Sequence, residues 1–528
     1  MQTEIGIGKK ASYWESQLKK HPDSEFAIEV INMVKYGFQI GYVGELKQVH
    51  TKNWPSAEKE KEKVTEYIGI HLTSGAIELI PENETEFRLS PLGAFPKKNS
   101  QKIRVIHDLS WPPGESVNDG IDKEDFSVRY TSISDAVKLC SKYDTPYLAK
   151  CDLMDAYLSC PIAECDRNKL GFEWEIDGSS KKLRFAAYPF GLRSSPFAFS
   201  KLGTALLYIA KSNGTLNSTI SYLDDTLFVA PDAESCSKSL HAFLDCVKSC
   251  GFKIQDNKTC GPARNLEFLG IIINTEEKTL KISQERMDDI RSEIDKWFNK
   301  RICTKRELLS VIGKLQFAAK VVNNGHMFLR RLIHKSKSAK NLHYKIYIDD
   351  ETLKDLRWWK KCIGSHNGVA WFNRCINPDN SVLVFTDASN EAAAGVIGNK
   401  WTLLQFVGKN AWMKEKTIAW RELLAVVLTI ATFGGILRYC DVIMNIDNQA
   451  IQTCIENGKS KDPEIMALIR CLYFYCAIYN INYRAIHLSS KCNQIADSVS
   501  RLNFALFRTL VPNAEVYMTN PVDIILNF

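Results

Sequence analysis

The sequence predicts a multidomain protein that combines α/β and α+β folds, and three observations lead to this prediction. The chain has 528 residues, which is too many for a single hydrophobic core. Strand-like runs alternate with helical patterns over 91–274 and again over 381–510, whereas 283–343 shows helical periodicity alone. Hydrophobic residues make up 45% and charged residues 24%, so the composition excludes an intrinsically disordered chain.

Local residue patterns predict the following helices and strands, given in chain order. Short helices are predicted at 25–33 and 58–67. Five runs rich in β-branched or aromatic residues and bounded by Gly, Pro, Asn or Asp are predicted strands: KIRVIHDL, YLAKCDL, KLRFAAYPF, STISYLDDTLFVA and LEFLGIIIN. Apolar residues three or four apart then predict helices in RMDDIRSEIDKWF and RELLSVIGKLQFAAKVV. The last segment predicts strands in VLVFTDAS, AAAGVIG, VIMNIDNQA and NYRAIHL, with a helix in TIAWRELLAVVLTIATF.

Charge and hydropathy indicate which partners and which cellular compartment to expect for the protein. Lys and Arg number 68 against 61 Asp and Glu, a formal charge of +7 that permits a polyanionic partner. The N-terminus has no apolar signal-peptide core, and the longest apolar stretch, 423–437, is shorter than the ~20 residues of a membrane span, so it predicts a buried helix. Sixteen cysteines without CxxC pairs predict buried, reduced thiols. We therefore expect an intracellular protein, cytoplasmic or nuclear, that does not bind a membrane.

Two adjacent acids interrupt a strand-like run in STISYLDDTLFVA. Asp224 and Asp225 would be costly to desolvate in an apolar hairpin unless a cation neutralises them. A tight turn whose acids hold Mg²⁺ resolves this conflict, and a solvated hairpin tip is the alternative. In the segment YLAKCDLMDAYLSCPI a strand is predicted to end at a further acid, Asp152. If Asp152 lies beside Asp224, the pair could bracket two metal ions ~3.5–4 Å apart for in-line phosphoryl transfer.

These acids belong to a set of ordered motifs that resembles reverse transcriptases. Asp152 with the aromatic Tyr157 five positions on, then YPFGLRSSPFAF, then YLDD, matches that set, and the resemblance covers about residues 20–345. It implies that Tyr157 excludes a 2′-hydroxyl and that Phe190 and Gly191 lie under the template–primer base pair. A core tyrosine is the alternative for Tyr157.

Further family positions flank these motifs. PKKNSQKIRVIHDLS resembles the strand pair that grips the incoming triphosphate, which implies phosphate contacts for Lys97 and Arg104. A plain solvated basic hairpin is the alternative. GFKIQDNKTC puts Lys258 where the family has a lysine thought to protonate pyrophosphate, and LEFLGIIIN resembles the hairpin that grips the primer. Phe190 stands where retroviral enzymes carry Gln, and SPLGAFPKK followed by RVIHDLSWPPGESVNDGI is most similar to DIRS-type retrotransposons.

Four acids stand out in the last α/β segment: Asp387 in VFTDAS, Glu422 in AWRELLAV, Asp447 in MNIDNQA and Asp497 in QIADSVSR. Glu422 lies in an otherwise apolar helix, where an unpaired carboxylate would be costly, so a metal or cation partner is expected. Asp387 and Asp447 each end a predicted strand, as metal ligands at a sheet rim often do. Surface or capping roles are the alternatives.

The order and spacing of these acids resemble RNase H. Asp387 and Glu422 are 35 positions apart, His487 and Asp497 are 10 apart, and Asn493 falls where the family loop has Asn. The resemblance implies that the four acids hold two Mg²⁺ ions for hydrolysis of an RNA strand and that His487 assists proton transfer or product release. A satisfied loop histidine is the alternative for His487.

Together the resemblances predict a right-hand polymerase followed by an RNase H-like α/β domain. We expect RNA-directed DNA polymerase activity and hydrolysis of RNA in RNA–DNA hybrids, two Mg²⁺ ions per site with Mn²⁺ as a substitute, and RNA or DNA template, primer and dNTPs as partners. The alternative is a catalytically inactive or domesticated nucleic-acid-binding relic. A telomerase-type or mobile-intron enzyme is disfavoured because such polymerases usually lack a fused RNase H.

The implied domains are an N-terminal extension (1–80), fingers and palm (81–280), a helical thumb (281–345), a connector (346–380), the RNase H-like domain (381–515) and a tail (516–528).

Overall fold

The computed structural model describes residues 3–96, 102–214, 216–366, 368–371, 378–489 and 491–524. The chain divides into two compact units, Met1–Leu269 and Gly270–Phe528. Both mix helices and strands, as predicted. In the part of the chain described, no helix is both long enough and apolar enough to cross a lipid bilayer.

The N-terminal unit is built on an antiparallel sheet in the order β10-β4-β8-β7, with β9 paired to the end of β4. A second sheet has the order β1-β6-β5, and β2 and β3 form a separate hairpin. The strands are β1 (Ile77–Leu79), β2 (Leu92–Pro96), β3 (Ile103–His107), β4 (Tyr147–Met154), β5 (Gly171–Ile176), β6 (Ser179–Phe185), β7 (Ser218–Tyr222), β8 (Asp225–Ala230), β9 (Lys253–Ile254), β10 (Cys260–Ala263) and β11 (Asn265–Phe268).

Helices cover this unit, and α7 and α8 pack together while α8 also lies on β4 and β8. Short 3-10 turns occur at Tyr157–Ser159 and Asp256–Lys258. The helices are α1 (Ala11–Leu18), α2 (Ser24–Tyr36), α3 (Pro55–Lys59), α4 (Lys61–Ser74), α5 (Ile133–Cys140), α6 (Glu164–Arg167), α7 (Ser195–Asn213) and α8 (Ala233–Ser249).

The N-terminal helices, in which the sequence showed no chemistry, belong to the core of this unit. Trp14 on α1 is fully buried, and its indole N–H donates to the carbonyl oxygen of Cys250 at 3.0 Å. Asp23 caps α2 by accepting a hydrogen bond from the N–H of Phe26, and the positive φ of Gly37 (89°) ends the helix. Burying the Trp14 ring therefore joins the first helix to the end of α8.

The C-terminal unit contains a five-stranded sheet in the order β19-β18-β17-β20-β21. β17, β20 and β21 are parallel, whereas β17, β18 and β19 are antiparallel. In a smaller antiparallel group, β13 pairs with β12 on one side and with β16 on the other, and in a second group β14 pairs with β15. The strands are β12 (Ile271–Asn274), β13 (Thr279–Lys281), β14 (Ile302–Thr304), β15 (Lys345–Tyr347), β16 (Val369–Trp371), β17 (Val382–Ala388), β18 (Ala392–Ile397), β19 (Lys400–Gln405), β20 (Asp441–Ile446) and β21 (Asn482–His487).

All six residues of β18 are buried, because α13 and α16 both pack against this strand. α13 also packs against α15. The helices are α9 (Gln284–Trp297), α10 (Lys305–Ala318), α11 (Arg330–Ser336), α12 (Asp350–Ser365), α13 (Ile418–Phe433), α14 (Gln449–Asn457), α15 (Pro463–Ile478), α16 (Gln494–Ser500) and α17 (Phe504–Leu510).

Two details of secondary structure differ from the sequence predictions. The strand predicted to end at Asp152 continues to Met154, because β9 pairs with its last residues. The apolar stretch 423–437 is a buried helix only as far as Phe433, where Gly434 and Gly435 follow. The predicted connector, 346–380, includes the amphipathic helix α12, whose Trp358 and Trp359 are fully buried. Of the fifteen cysteines in the described residues, ten are buried, as predicted, whereas Cys165, Cys260 and Cys492 are exposed, contrary to the prediction of buried thiols.

Candidate functional site

The first acidic cluster forms where β4 and β8 run side by side. Asp152 on β4 is the Cα partner of Asp225, the first residue of β8. Asp224 occupies the tight turn between β7 and β8, where Leu223 adopts a left-handed φ of 52°. The three carboxylates come together because antiparallel pairing places Asp152 on β4 opposite Asp225 at the start of β8, directly after the turn that carries Asp224.

Burial and mutual repulsion raise the pKa values of two of these acids, Asp224 and Asp225. Burial, and then the negative charge of Asp152, raise the pKa of Asp224 above its ordinary value. Burial and the charges of Asp152 and Asp224 raise the pKa of Asp225 to about 6. Carboxylates that repel each other in a partly desolvated pocket favour a bound cation.

Lys258 supplies a positive charge to this cluster. Its Nζ lies 2.7 Å from Oδ2 of Asp152. Burial lowers the pKa of Lys258, but the hydrogen bond to Asp152 and the charges of Asp225 and Asp224 outweigh it and raise the pKa overall. Sequence reasoning selected Lys258 for pyrophosphate and gave no indication of the ion pair with Asp152.

Aromatic side chains stand beside the acids. The rings of Tyr157 and Phe190 are stacked, with centroids 5.2 Å apart and planes 26° apart. The guanidinium of Arg104 lies over the Phe190 ring at 5.6 Å. Burial raises the pKa of Tyr157 above its usual range. The structure thus brings three predicted substrate contacts together, while Lys97 lies outside the described residues.

The loop that carries Phe190 approaches β3 closely. The backbone N–H of His107 donates to the carbonyl oxygen of Phe190 at 2.9 Å. Gly191 has a φ of 118°, and a Cβ on it would lie 1.9 Å from the carbonyl oxygen of His107. Only glycine fits this backbone conformation and this space, so the loop geometry depends on Gly191.

The second acidic cluster lies at one end of the five-stranded sheet. Asp387 is the penultimate residue of β17, and Asp447 directly follows β20, the parallel neighbour of β17. Glu422 lies near the start of α13, and Asp497 lies on α16. Parallel strands end at the same edge of a sheet, which explains why Asp387 and Asp447 approach each other.

The pKa values of Asp387 and Glu422 also reflect crowded negative charge. Burial raises the pKa of Asp387 to about 6, and the charges of Asp447 and Asp497 add to the rise that a hydrogen bond from Ser500 opposes. Burial, followed by the charge of Asp447, raises the pKa of Glu422 to about 7. The four predicted acids are therefore electrostatically coupled.

Neighbouring polar groups compensate part of this charge. The hydroxyl of Ser500 donates to Oδ2 of Asp387, and Nε of Arg501 lies 2.6 Å from Oδ1 of Asp497. Sequence reasoning missed both residues, although Arg501 follows Asp497 by four positions on a helix and this spacing is a recognised signal for an ion pair. Within the described residues, Oε2 of Glu422 is buried and has no hydrogen-bond partner.

The remaining predicted residues of this site lie close by in the fold. His487 is the last residue of β21, is exposed, and pairs in register with Ile446, which precedes Asp447. Asn493 is fully buried, and its side-chain amide donates to the carbonyl oxygen of Thr386 at 2.9 Å. This bond joins the loop before α16 to β17.

Both clusters fit divalent metal ions by the chemistry of their donors. Carboxylate oxygens are the ligands that Mg²⁺ prefers, and the partnerless Oε2 of Glu422 is an unused donor. Over the described ranges, no three His, Cys, Asp or Glu side chains have metal-holding geometry as they stand. Lys258, Ser500 and Arg501 instead contact carboxylate oxygens that a metal would need.

The first acidic cluster lies in a part of the chain that matches a known protein family. Residues 96–273 match the family described as reverse transcriptase (RNA-dependent DNA polymerase), and this range includes Asp152, Asp224 and Asp225. The chain contains a reverse transcriptase domain. It is 27% identical over 173 residues to Protein P of duck hepatitis B virus (strain China), covering 31% of this chain and 20% of that protein.

The similarity to a relative from a mobile element extends beyond residues 96–273. The chain is 21% identical over 468 residues to the retrovirus-related Pol polyprotein from transposon opus of Drosophila melanogaster, covering 86% of this chain and 43% of that protein. The aligned regions thus span about a fifth to less than half of these two relatives. A solved foamy viral protease-reverse transcriptase in complex with ds DNA matches with a TM-score of 0.50 and 16% identity, covering 92% of this chain and 83% of that one. The fold is that of a right-hand polymerase, as predicted.

Proposed function

We propose that the protein is an RNA-directed DNA polymerase that also hydrolyses the RNA strand of RNA–DNA hybrids. The observation that carries the proposal is the pairing of Asp152 with Asp225 across β4 and β8, with Asp224 on the adjoining turn. All three acids lie inside the range that matches reverse transcriptases, and the pKa values of Asp224 and Asp225 are raised. Raised pKa values are typical of carboxylates at functional sites, including those that bind a cation.

Each residue near the first cluster has a role in this proposal. Asp152, Asp224 and Asp225 would hold two Mg²⁺ ions, or Mn²⁺, which when bound activate a primer 3′-hydroxyl and neutralise the leaving pyrophosphate. Lys97 and Arg104 bind the triphosphate, and Lys258 gives a proton to pyrophosphate. Tyr157 excludes a 2′-hydroxyl, and Phe190 and Gly191 support the template–primer base pair.

The second cluster supports a separate nuclease site. Asp387, Glu422, Asp447 and Asp497 would hold the metal ions that activate water, and the partnerless Oε2 of Glu422 is the observation that favours this role. His487, exposed at the end of β21, assists proton transfer or product release. The coupled charges of the acids are consistent with one shared site.

The proposed partners are nucleic acids and nucleotides. They comprise an RNA or DNA template, a primer, dNTPs and an RNA–DNA hybrid, and the fold match to a protein in complex with ds DNA supports a nucleic-acid partner. We further propose that the chain comes from a DIRS-type retrotransposon, based on SPLGAFPKK and RVIHDLSWPPGESVNDGI. A catalytically inactive nucleic-acid-binding relic is the competing function, and activity assays distinguish the two.

Isosteric substitutions test the two sites separately. D224N or D225N is expected to abolish primer extension on poly(rA)·oligo(dT) and to leave hybrid RNA cleavage largely intact, whereas E422Q is expected to do the reverse. Extension and cleavage are measured on the same preparations, with and without a chelator. D177N and E415Q are matched controls, because both residues are exposed and lie outside the clusters.

Two results would count against the proposal. Wild-type protein that binds the hybrid but neither extends nor cleaves in Mg²⁺ or Mn²⁺ would favour the inactive relic. A single substitution that removes both activities without unfolding the chain would contradict two separate sites.

A further inference from the structure

β19 is the outermost strand of the five-stranded sheet, so one of its edges faces away from the sheet. Among the strands of the described ranges, β19 pairs only with β18. The open edge of a strand presents N–H and C=O groups that pair readily with another chain. Residues 515–519 lie along this edge without forming a regular strand, and we call them the guard segment.

Hydrogen bonds hold the guard segment at both of its ends. At one end, the N–H of Glu515 donates to the carbonyl oxygen of Asn399 at 2.8 Å, and the indole N–H of Trp401 donates to the carbonyl oxygen of Glu515 at 2.9 Å. At the other end, the N–H of Thr519 donates to the carbonyl oxygen of Trp401 at 2.9 Å, and the hydroxyl of Thr402 donates to that of Thr519 at 2.9 Å. The guard segment therefore occupies the outward edge at the start of β19.

The middle of the guard segment contributes little apolar burial. Val516 is 76% exposed and Tyr517 is 85% exposed, although Arg508 donates a hydrogen bond to the carbonyl oxygen of Val516 at 3.0 Å. Hydrogen bonds along a strand edge exchange with bonds to water, so each contributes only modestly to stability. The guard segment can therefore leave the edge at a lower cost than β19 can leave the sheet.

The bonds to the guard segment show which residues of β19 point outward. Backbone groups of an antiparallel strand alternate between its two sides, and the carbonyl oxygens of Asn399 and Trp401 both face the guard segment. The backbone groups of Leu403 and Gln405 therefore point outward as well. Two such edges can pair antiparallel with Leu403 opposite Leu403 of a second copy, and Trp401 opposite Gln405 of that copy.

This register brings no like charges together. Lys400 is the single charged residue in 399–407, and it falls opposite Phe406 of the second copy. The acid that forms an ion pair with Lys400 in the structure is Glu515, which belongs to the guard segment. Pairing two identical edges about a two-fold axis uses both edges, so the assembly closes at two copies.

We propose that the outward edge of β19 is a self-association surface that fits a second copy of this chain, and that the guard segment keeps this surface closed. The inference is independent of the proposed polymerase and nuclease activities. A second copy is favoured over an unrelated strand because the edge is complementary to itself in register and in charge. The guard segment thereby holds the chain in its unpaired state.

The test removes the backbone donors of the guard segment in the full chain. Proline has no N–H, so E515P/T519P removes both hydrogen bonds from the guard segment to carbonyl oxygens at the edge. Size-exclusion chromatography with light scattering should give this variant twice the mass of the wild type. Adding Q405P should restore the wild-type mass, because proline at this exposed, outward position blocks the edge and spares the pairing with β18.

The matched control changes the same segment without removing a hydrogen bond to the edge. V516S/Y517S should keep the wild-type mass, and in the E515P/T519P background it should leave the doubled mass unchanged. A return to the wild-type mass in that background would show that the exposed apolar side chains drive association, which would contradict pairing through the edge.

Other outcomes would also overturn the inference. An E515P/T519P variant that is folded by circular dichroism and keeps the wild-type mass would show that the edge does not self-associate. A doubled mass that Q405P leaves unchanged would place the contact elsewhere, and growth beyond two copies would contradict a closed pair. If E515P/T519P does not fold, T519P alone gives the same test, and a folded T519P with the wild-type mass at every concentration would refute the proposal.

Discussion

Single side chains in the two acidic clusters differ in how their charge is compensated. In the first cluster an ammonium, that of Lys258, contacts Asp152 directly. In the second cluster the hydroxyl of Ser500 and the guanidinium of Arg501 contact two of the acids, and Oε2 of Glu422 keeps no hydrogen-bond partner in the part of the chain described. A side-chain hydrogen bond from Asn448 lowers the pKa of Glu422, but burial and the charge of Asp447 outweigh this effect.

Glu422 gives the metal-free protein a specific pH dependence. Its pKa in the folded state is raised to about 7, chiefly by burial, so the folded state binds its proton more tightly than the unfolded state does. The stability that this provides is complete below the unfolded pKa, ~4.3, and is lost as pH rises through about 7. In EDTA, E422Q should therefore melt at a higher temperature than the wild type at pH 8 and at a similar temperature at pH 4.5.

Differential scanning fluorimetry at the two pH values measures this difference. E415Q, at an exposed position, should follow the wild type at both pH values. Mg²⁺ added at pH 8 should raise the melting temperature of the wild type more than that of E422Q. An E422Q curve that coincides with the wild type at pH 8 in EDTA would contradict the raised pKa.

At the scale of elements, the loop before α7 depends on a glycine. In G191A the new Cβ would lie 1.9 Å from the carbonyl oxygen of His107, at a φ of 118° that side chains rarely adopt. We expect a loss of ~1–3 kcal/mol in the free energy of unfolding and a large loss of primer extension, because the loop must move off β3.

The matched control is another glycine of the same unit. Gly203 lies inside α7, and a Cβ added to it would meet nothing within 4 Å outside the backbone of its own helix. G203A should be neutral or stabilise by ~0.5–1 kcal/mol, because alanine is the better helix former. Urea unfolding of both variants provides the comparison, and a G191A as stable as G203A would refute the steric argument.

Two helices of the C-terminal unit are joined by a buried ion pair. Nη2 of Arg470 on α15 lies 2.8 Å from Oδ1 of Asp355 on α12, and their side chains are only 7% and 1% exposed. D355N keeps the shape but leaves Arg470 buried without its counter-charge, which should cost ~3–5 kcal/mol of the free energy of unfolding. Urea unfolding followed by circular dichroism measures this cost.

An exposed ion pair is the control for the buried one. Asp295 pairs with Lys360 at 2.9 Å, and both side chains are more than half exposed. D295N should therefore cost ~1 kcal/mol or less, because water screens the pair. Equal costs for D355N and D295N would show that burial does not decide the strength of the Asp355–Arg470 pair.

At the scale of the whole molecule, the net charge of +7 favours polyanionic partners in a salt-dependent way. Binding through phosphates releases counterions, so the affinity for an RNA–DNA hybrid should fall at least ~tenfold between ~50 and ~200 mM NaCl. Fluorescence anisotropy with labelled hybrids of two unrelated sequences measures this dependence. An affinity that is insensitive to salt, or that differs strongly between the sequences, would contradict backbone recognition.

Much of the local structure and the identity of the acids followed from the sequence alone. Helical and strand periodicities are local properties, so the β7–β8 turn with Asp224 and the apolar helix with Glu422 were predicted correctly as elements. The right-hand polymerase fold followed from the order of several motifs, because ordered motifs restrict a fold far more than any one of them does.

Contacts between distant segments were decided only by the tertiary structure. Lys258 and Asp152 are 106 positions apart, and the contacts of Phe190 with Tyr157 and Arg104 join three segments whose proximity depends on how strands pair and loops return. No periodicity encodes such a distance, because burial and sheet order arise from packing of the whole unit. The sequence thus determined which groups carry charge, and the tertiary structure determined which of those charges meet.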